Sequence, residues 1–347
     1  MQDFPKCLIT NDAPGELNRI IGNLAPGSVT ILTDPNTRRW CYPLLEGSLP
    51  SHEVIEVQPG EEHKNLEGAS RVWHDLTRLQ VTRKGLLVIL GGGVTGDLGG
   101  FCAATYKRGI PFILVPTTLL AQVDASVGGK LGIDFEHFKN HIGVFQEPVC
   151  TIIDTRFLAT LPSAELRSGF AEVIKHCLIS DREMWEIIRT KPLAQQDWPA
   201  LVSHSVAFKQ QVVTKDPREA GLRKVLNYGH TIGHGLESLS LGNGNRLLHG
   251  EAIAIGMVAE ARIATEMGLL TREACGQIRD YILEVFGHRK PDFGMDELIA
   301  LIRQDKKNEQ DRILMALPSG IGGHLWDVEV SPAAIAGAMQ WYLNDQP

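Results

Sequence analysis

Cysteine is sparse in this 347-residue chain, and its six copies (Cys7, Cys41, Cys102, Cys150, Cys177, Cys275) are scattered with no C-x-x-C pair. That argues against a disulfide framework and for reduced thiols in the cytoplasm. The start, Met1-Gln2-Asp3-Phe4-Pro5-Lys6, lacks the basic opening and apolar core of a signal peptide. A membrane-length apolar run is missing as well: the longest, near Ile110 to Val123, is broken by Pro111, Pro116 and Thr117-Thr118. There is no basic excess, since 34 Lys and Arg face 41 Asp and Glu for a net charge of -7. Nucleic acid is therefore disfavoured as the main partner, while local basic clusters still permit a small anionic substrate. Internal repeats and low-complexity tracts are absent. The expectation is a cytoplasmic protein with neither a membrane nor a nucleic-acid partner.

What is present reads as ordinary globular protein, 43% hydrophobic and 22% charged. The length exceeds what one core organises, which predicts two domains. In the first half, Ser28 to Leu32, Val54 to Val57, Leu86 to Leu90, Phe112 to Val115 and Val149 to Ile153 are short apolar runs alternating with helix-like stretches. That rhythm predicts an α/β domain over 1–160. The first three runs end in Asp34-Pro35-Asn36, Pro59-Gly60-Glu61 and Gly91-Gly92-Gly93, and parallel sheets bind ligands beyond such carboxyl ends. From Leu161 onward the segments lengthen and take helical spacing: Ala164 to Ile179, Ala200 to Lys215, Gly250 to Met267 and Thr271 to Phe286. The second domain, 161–347, is therefore expected to be mainly α-helical, with one hairpin between Arg312 and Asp327 around Pro318-Ser319-Gly320.

Gly91-Gly92-Gly93-Val94-Thr95-Gly96-Asp97 follows a predicted strand, precedes a predicted helix and fits G-x-G-x-x-G. Such glycines let backbone amides approach a pyrophosphate at a helix amino terminus. The acidic residue expected at the end of the next strand is missing, because that strand runs into Val115-Pro116-Thr117-Thr118. A ribose would need Asp34 or Glu61 instead, which disfavours an ordinary Rossmann dehydrogenase.

His230-Thr231-Ile232-Gly233-His234 sets two histidines four apart, on one face if the segment is helical. The glutamate between them that a zinc protease requires is absent. His249 opens another apolar helix, and Glu172 lies with Lys175 in Gly169-Phe170-Ala171-Glu172-Val173-Ile174-Lys175, where a buried charge needs a partner. Three ligands with an open position make a catalytic metal site, and spacing does not choose between His234 and His249. Asp124, Lys130, Lys139 and Asn140 stand among glycines in apolar surroundings and suit phosphate and hydroxyl recognition. Arg108, Lys209, Arg223, Lys306 and Lys307 add positive charge, although any one of them also reads as a solvated surface charge.

Taken together, Gly91 to Asp97, Pro116 to Asp124, Val127-Gly128-Gly129-Lys130, Lys139-Asn140, Ala171 to Lys175, Leu226 to His234 and His249-Gly250-Glu251 resemble the 3-dehydroquinate synthase family, in order over about residues 30 to 310. The resemblance implies an amino-terminal NAD-binding α/β domain, a carboxy-terminal helical metal domain and a homodimer. It implies Glu172, His230 and His249 as ligands of a Zn²⁺ or Co²⁺ ion, with His234 turned to the substrate phosphate. NAD would be held by Asp34, Glu61, Lys64, Gly91, Gly92, Gly93, Val94, Gly96, Asp97, Thr117, Thr118, Lys130, Lys139, Phe157, Thr160 and Leu161. Contacts to a sugar-phosphate substrate would come from Asp124, Lys130, Asn140, Lys175, Lys209, Arg223, Asn227, His234 and one of Lys306 or Lys307, with Arg108 reaching across the dimer.

The implied reaction is the conversion of 3-deoxy-D-arabino-heptulosonate 7-phosphate to 3-dehydroquinate. His141, Val144 and Glu136-His137-Phe138 depart from the family pattern and put the conformation of that loop in question. The rival readings are a sister cyclase making 2-epi-5-epi-valiolone or 2-deoxy-scyllo-inosose, an iron-dependent polyol dehydrogenase, and a binding module without activity. Valiolone-type relatives resemble Gly-His-Thr-x-Ser-Pro where this chain has Gly229-His230-Thr231-Ile232-Gly233-His234, and that difference favours the dehydroquinate reading.

Overall fold

Seven consecutive buried residues, Gly85 to Gly91, form the middle of a parallel sheet. Strands buried on both faces read as continuous apolar runs, and this one is Gly-Leu-Leu-Val-Ile-Leu-Gly. The computed structural model describes residues 4–125, 127–136, 138–240, 246–304 and 312–344. They form two compact units, Met1–Leu166 and Arg167–Pro347.

In the first unit the strands, in chain order, are β1 (Cys7–Ile9), β2 (Ser28–Thr33), β3 (Glu53–Glu56), β4 (Gly85–Gly91), β5 (Phe112–Pro116), β6 (Lys130–Phe135), β7 (Phe138–Phe145) and β8 (Cys150–Ile153). Six of them make one sheet in the order β1-β8-β5-β4-β2-β3, every pairing parallel. The pleat sends alternate side chains to opposite faces. Leu87 and Ile89 join one core with Val72 and Leu76 of the Leu66–Arg78 helix, while Leu86, Val88 and Leu90 join another with Leu17 and Ile20 of the Ala13–Leu24 helix. The chain adds β3 on one side of β2 and then returns to place β4 on the other. This reversal opens a crevice beyond the carboxyl ends of β2 and β4, the usual ligand position in such sheets.

The alternation of apolar runs found five of the six sheet strands and missed β1, a three-residue edge strand beside β8. It also missed the antiparallel hairpin of β6 and β7. Gly132, Asp134, Asn140 and Gly143 interrupt any alternation there, and Asn140 takes a left-handed backbone, φ 49°. The hairpin forms because one strand of it is anchored: Leu131 and Ile133 are buried in the first core.

The second unit is mainly helical, as its spacing predicts. Ser163–Ser180, Trp198–Lys215, His230–Ser240, His249–Glu266 and Arg272–Phe286 account for the long segments. The His249–Glu266 helix is its centre, with fourteen buried residues. The expected hairpin is present as β9 (Ile313–Pro318) and β10 (His324–Val330). Among the described residues no helix is long and apolar enough to cross a membrane.

Candidate functional site

The Ser163–Ser180 helix buries Glu172 completely, with Lys175 one turn along the same face. The Lys175 ammonium hydrogen-bonds Glu172 Oε2. Glu172 Oε1 faces two imidazoles, 3.4 Å from His230 Nε2 and 3.7 Å from His249 Nε2. His249 comes this close because Gly250 follows it. A Cβ at Gly250 would lie 2.0 Å from the Ser168 carbonyl oxygen, and the Gly250 amide donates to Ser168 Oγ at 2.9 Å.

Both imidazoles have their tautomer set by a partner that only accepts. His230 Nδ1 donates to the Tyr228 carbonyl at 3.1 Å, and His249 Nδ1 donates to Glu237 Oε2 at 3.3 Å. In the neutral rings the lone pair is thus on Nε2, the atom that faces Glu172. A metal bound tetrahedrally at about 2.0–2.2 Å holds its ligand atoms about 3.3–3.6 Å apart; the 3.4 Å separation to His230 falls in that range and the 3.7 Å separation to His249 lies just beyond it. Without a metal, His249 holds a proton instead. Burial works to lower the His249 pKa, but the hydrogen bonds it donates to Glu172 and Glu237, with the charge of both carboxylates, override it and raise the value to about 9.

The same region brings His234, Glu237 and His249 together as a second set of donors within 4.8 Å, sharing His249 with the first. The His230 and His234 rings are 5.0 Å apart, centroid to centroid. The helical pair is therefore divided: His230 stands with Glu172, and His234 with Glu237. Arg223 and Lys209 are buried in this unit, 3% and 6% exposed. Arg223 donates to the Pro217 carbonyl at 2.7 Å, and Asn227 Nδ2 donates to Glu219 Oε1 at 2.7 Å. Lys306 and Lys307 lie outside the described residues.

In the first unit the glycine turn stands where the sequence places it. Gly91 ends β4 and Gly92 leads into the helix Gly93–Thr105, whose first turn has no side-chain cap. Its leading amides are available to an anion. Gly91, Gly92, Gly93, Gly96 and Asp97 line a cleft together with Leu114, Pro116 and Ala121. Asp34 caps the Pro35–Trp40 helix: Oδ1 accepts from the Asn36 and Thr37 amides, and Oδ2 from the Thr37 and Thr95 hydroxyls. Each of its oxygens is used twice within the protein, so Asp34 braces the helix that follows the glycine turn.

Lys64, nearly fully buried, meets Glu61 at 2.8 Å and Asp97 and Asp134 at 3.6 Å each. It also donates to Asn140 Oδ1 at 2.9 Å. Burial pushes the Asp97 carboxyl up to about 7 even though Lys64 pulls it down, because Glu61 adds repulsion. Asp134 closes the group: its amide donates to the Lys64 carbonyl at 2.7 Å and its Oδ1 accepts the Asn140 amide at 2.7 Å, which holds Asn140 in its left-handed backbone. Lys130 begins β6, Lys139 precedes Asn140 in β7, and both are exposed, as are Thr160 and Arg108. Phe157 and Thr117 are buried, Thr118 and Val94 half-buried, and Leu161 and Asp124 intermediate.

The sequence reading missed Glu237, Asp134, Glu219 and Glu260. Glu260 had a legible signal: it is a lone acid in Met257-Val258-Ala259-Glu260-Ala261, and a charge in an apolar helix needs partners. It accepts the Gly229 amide at 2.5 Å and the Ile232 amide at 3.1 Å. The others act through contacts that no local spacing announces.

Comparison with known proteins places this arrangement. The family profile described as 3-dehydroquinate synthase N-terminal matches residues 54–168, and that described as 3-dehydroquinate synthase C-terminal matches residues 169–308. The chain is similar to the 3-dehydroquinate synthase of Parabacteroides distasonis, 38% identical over 344 residues and 97% of each chain. In structure it is similar to ValA, a 2-epi-5-epi-valiolone synthase from Streptomyces hygroscopicus solved with NAD⁺ and Zn²⁺ bound. There the TM-score is 0.85 at 26% identity over 99% of this chain and 97% of the other. A 2-deoxy-scyllo-inosose synthase complexed with carbaglucose-6-phosphate, NAD⁺ and Co²⁺ shares the fold, with a TM-score of 0.84 at 24% identity over 96% of each chain.

Proposed function

Because the chain belongs to the 3-dehydroquinate synthase family, we propose that it converts 3-deoxy-D-arabino-heptulosonate 7-phosphate to 3-dehydroquinate and phosphate, as a carbon–oxygen lyase. One observation carries the chemistry: Glu172 Oε1, His230 Nε2 and His249 Nε2 converge at separations that suit a Zn²⁺ or Co²⁺ ion. NAD, held by the first unit, would supply reversible hydride transfer at C5 of the substrate, and a Zn²⁺ or Co²⁺ ion, held by Glu172, His230 and His249, would supply positive charge to the substrate hydroxyls.

The rest is the work of the chain. Lys175 engages Glu172 Oε2 and leaves Oε1 directed at the two imidazoles, the oxygen that would be offered to an ion. The ketone formed at C5 acidifies the C6 proton, and Lys130, Asn140 and His234 hold the phosphate that then leaves. Asp124, Lys175, Lys209, Arg223 and Asn227 orient the sugar hydroxyls and carboxylate, cationic and amide donors being suited to both. Ring opening and aldol closure follow after C5 is reduced. The glycine turn, Glu61, Lys64, Asp97, Thr117, Thr118, Lys139 and the Phe157 to Leu161 segment form the NAD site, with Asp34 bracing it through Thr95. The uncapped turn after Gly92 fits a pyrophosphate. A homodimer lends Arg108 to the neighbouring site, and six unpaired thiols accord with a cytoplasmic setting.

The same fold serves sister cyclases, and two observations favour the dehydroquinate substrate over theirs. Identity to the dehydroquinate synthase is 38% against 26% and 24% to the sisters, each over nearly the whole chain. By the family resemblance, His234 also stands where valiolone-type relatives carry proline. The protein with NAD and Zn²⁺ is expected to release phosphate from the heptulosonate 7-phosphate and not from sedoheptulose 7-phosphate or glucose 6-phosphate. Release from either of those alone moves the assignment to a sister enzyme, and accumulation of NADH with a simple polyol moves it to a dehydrogenase.

A further inference from the structure

We infer that Glu260 is a positioning residue for the metal centre, acting on His230 through the single peptide group between Tyr228 and Gly229. The inference rests on the reading that Glu172, His230 and His249 hold the metal. Glu260 is fully buried on the His249–Glu266 helix. Its Oε2 accepts the Gly229 amide at 2.5 Å and its Oε1 the Ile232 amide at 3.1 Å, so it caps the helix that begins at His230. The carbonyl of that same Tyr228–Gly229 peptide accepts the Nδ1–H of His230 at 3.1 Å.

The result is a line of hydrogen bonds from a buried carboxylate through one amide to the imidazole whose Nε2 faces Glu172. A carboxylate on the amide side polarises the peptide and strengthens its carbonyl as an acceptor. That fixes the ring plane of His230 and raises the basicity of its Nε2, as carboxylate partners of ligating histidines do. The two helices leave no slack at this joint. Tyr228 Oη donates to the Met257 carbonyl at 2.8 Å, and a Cβ at Gly256 would lie 2.0 Å from the Gly229 carbonyl oxygen. Glu260 thus ties the backbone beside His230 to the helix that supplies His249.

The test uses the full chain, stripped of metal and titrated with Zn²⁺ alone against a chelator of known affinity, and separately with Co²⁺ alone for its visible spectrum. Glu260→Gln keeps the shape but gives one of two amides a donor to face. It is expected to weaken Zn²⁺ by on the order of 10–100-fold and to shift the Co²⁺ bands, with Glu260→Ala weaker still. Where Glu260→Ala does not fold, Glu260→Gln carries the test. Thr271→Ala removes an ordinary cap, on the Arg272–Phe286 helix, and is expected to lower the melting temperature without moving either metal readout. Wild-type Zn²⁺ affinity and an unshifted Co²⁺ spectrum in Glu260→Gln overturn the inference, whatever its melting temperature. An equal loss of Zn²⁺ in Thr271→Ala overturns it too, since general loosening then explains the effect. His230→Ala separates the two levels: if it binds Zn²⁺ like wild type, the metal-site reading itself fails.

Discussion

Each unit gathers several titratable side chains around one buried charge, with opposite signs. In the first, the Lys64 ammonium is ringed by Glu61, Asp97 and Asp134. In the second, the Glu172 carboxylate is ringed by Lys175, His230 and His249. Three acids over-neutralise one cation, and burial answers by pushing Asp97 up to about 7. The cluster is rich in acceptors and suits hydroxyl groups. Beside the Lys175 ammonium, the other two neighbours of Glu172 are imidazoles whose Nδ1 atoms are held by acceptors, and their Nε2 atoms, the lone-pair atoms of the neutral rings, face one carboxylate oxygen. That cluster suits a cation. The same rule, that a buried charge needs partners, produces two kinds of site according to the sign at the centre.

The contrast is broken most severely by removing the central acid. Glu172→Gln, or stripping the wild type with a chelator, is expected to bring turnover below about 1% of normal, the loss of several kcal/mol of metal-derived stabilisation. Zn²⁺ or Co²⁺ should restore the stripped wild type and leave the variant inactive, which a phosphate-release assay checks. Removing the central cation gives a smaller effect in a different place. Lys64→Met is expected to weaken NAD on the order of tenfold, as the loss of a charge-assisted contact does, with Zn²⁺ affinity unchanged. Fluorescence titration with NAD and chelator competition read the two separately, and a matching loss of Zn²⁺ would erase the distinction between the units.

The smallest effect is a proton. The folded value for His249 is raised from 6.5 to about 9 against the lowering pull of burial. In metal-free protein, protonated His249 therefore stabilises the fold; that contribution is complete below about 6.5 and is lost as pH rises through about 9. A metal requires the neutral ring, so at pH 7 its uptake displaces this proton. Calorimetry in buffers of different ionisation enthalpy is expected to show about one proton released per Zn²⁺ from this group. Affinity should climb between pH 6 and 9 and then level off.

Much of this was legible without coordinates, and the boundary of legibility has a physical cause. A strand buried on both faces must be apolar throughout, so Leu86 to Leu90 declared β4 and the glycines after it declared the turn. Helical spacing declared the carrier helix of Glu172 and the helix that His249 opens, while the helix His230–Ser240 was only a condition for placing His230 and His234 on one face. The choice of His249 over His234 beside Glu172 was not in the spacing, because it depends on Gly250 letting a second helix approach Ser168. The β6 and β7 hairpin was hidden because it is held by Lys64, 66 or more residues earlier in the chain, and by two buried side chains rather than by its own alternation. Asp134 and Glu237 are polar residues whose partners are fixed only by the tertiary fold.

The division of labour between the histidines is the centre of the account, and one experiment addresses it directly: equilibrium Zn²⁺ titration of His249→Ala and His234→Ala side by side with the wild type. His249→Ala is expected to lose tight Zn²⁺ binding, while His234→Ala keeps it and loses only turnover with the heptulosonate 7-phosphate. Equal loss of Zn²⁺ in the two variants, or retention by His249→Ala, would contradict the account.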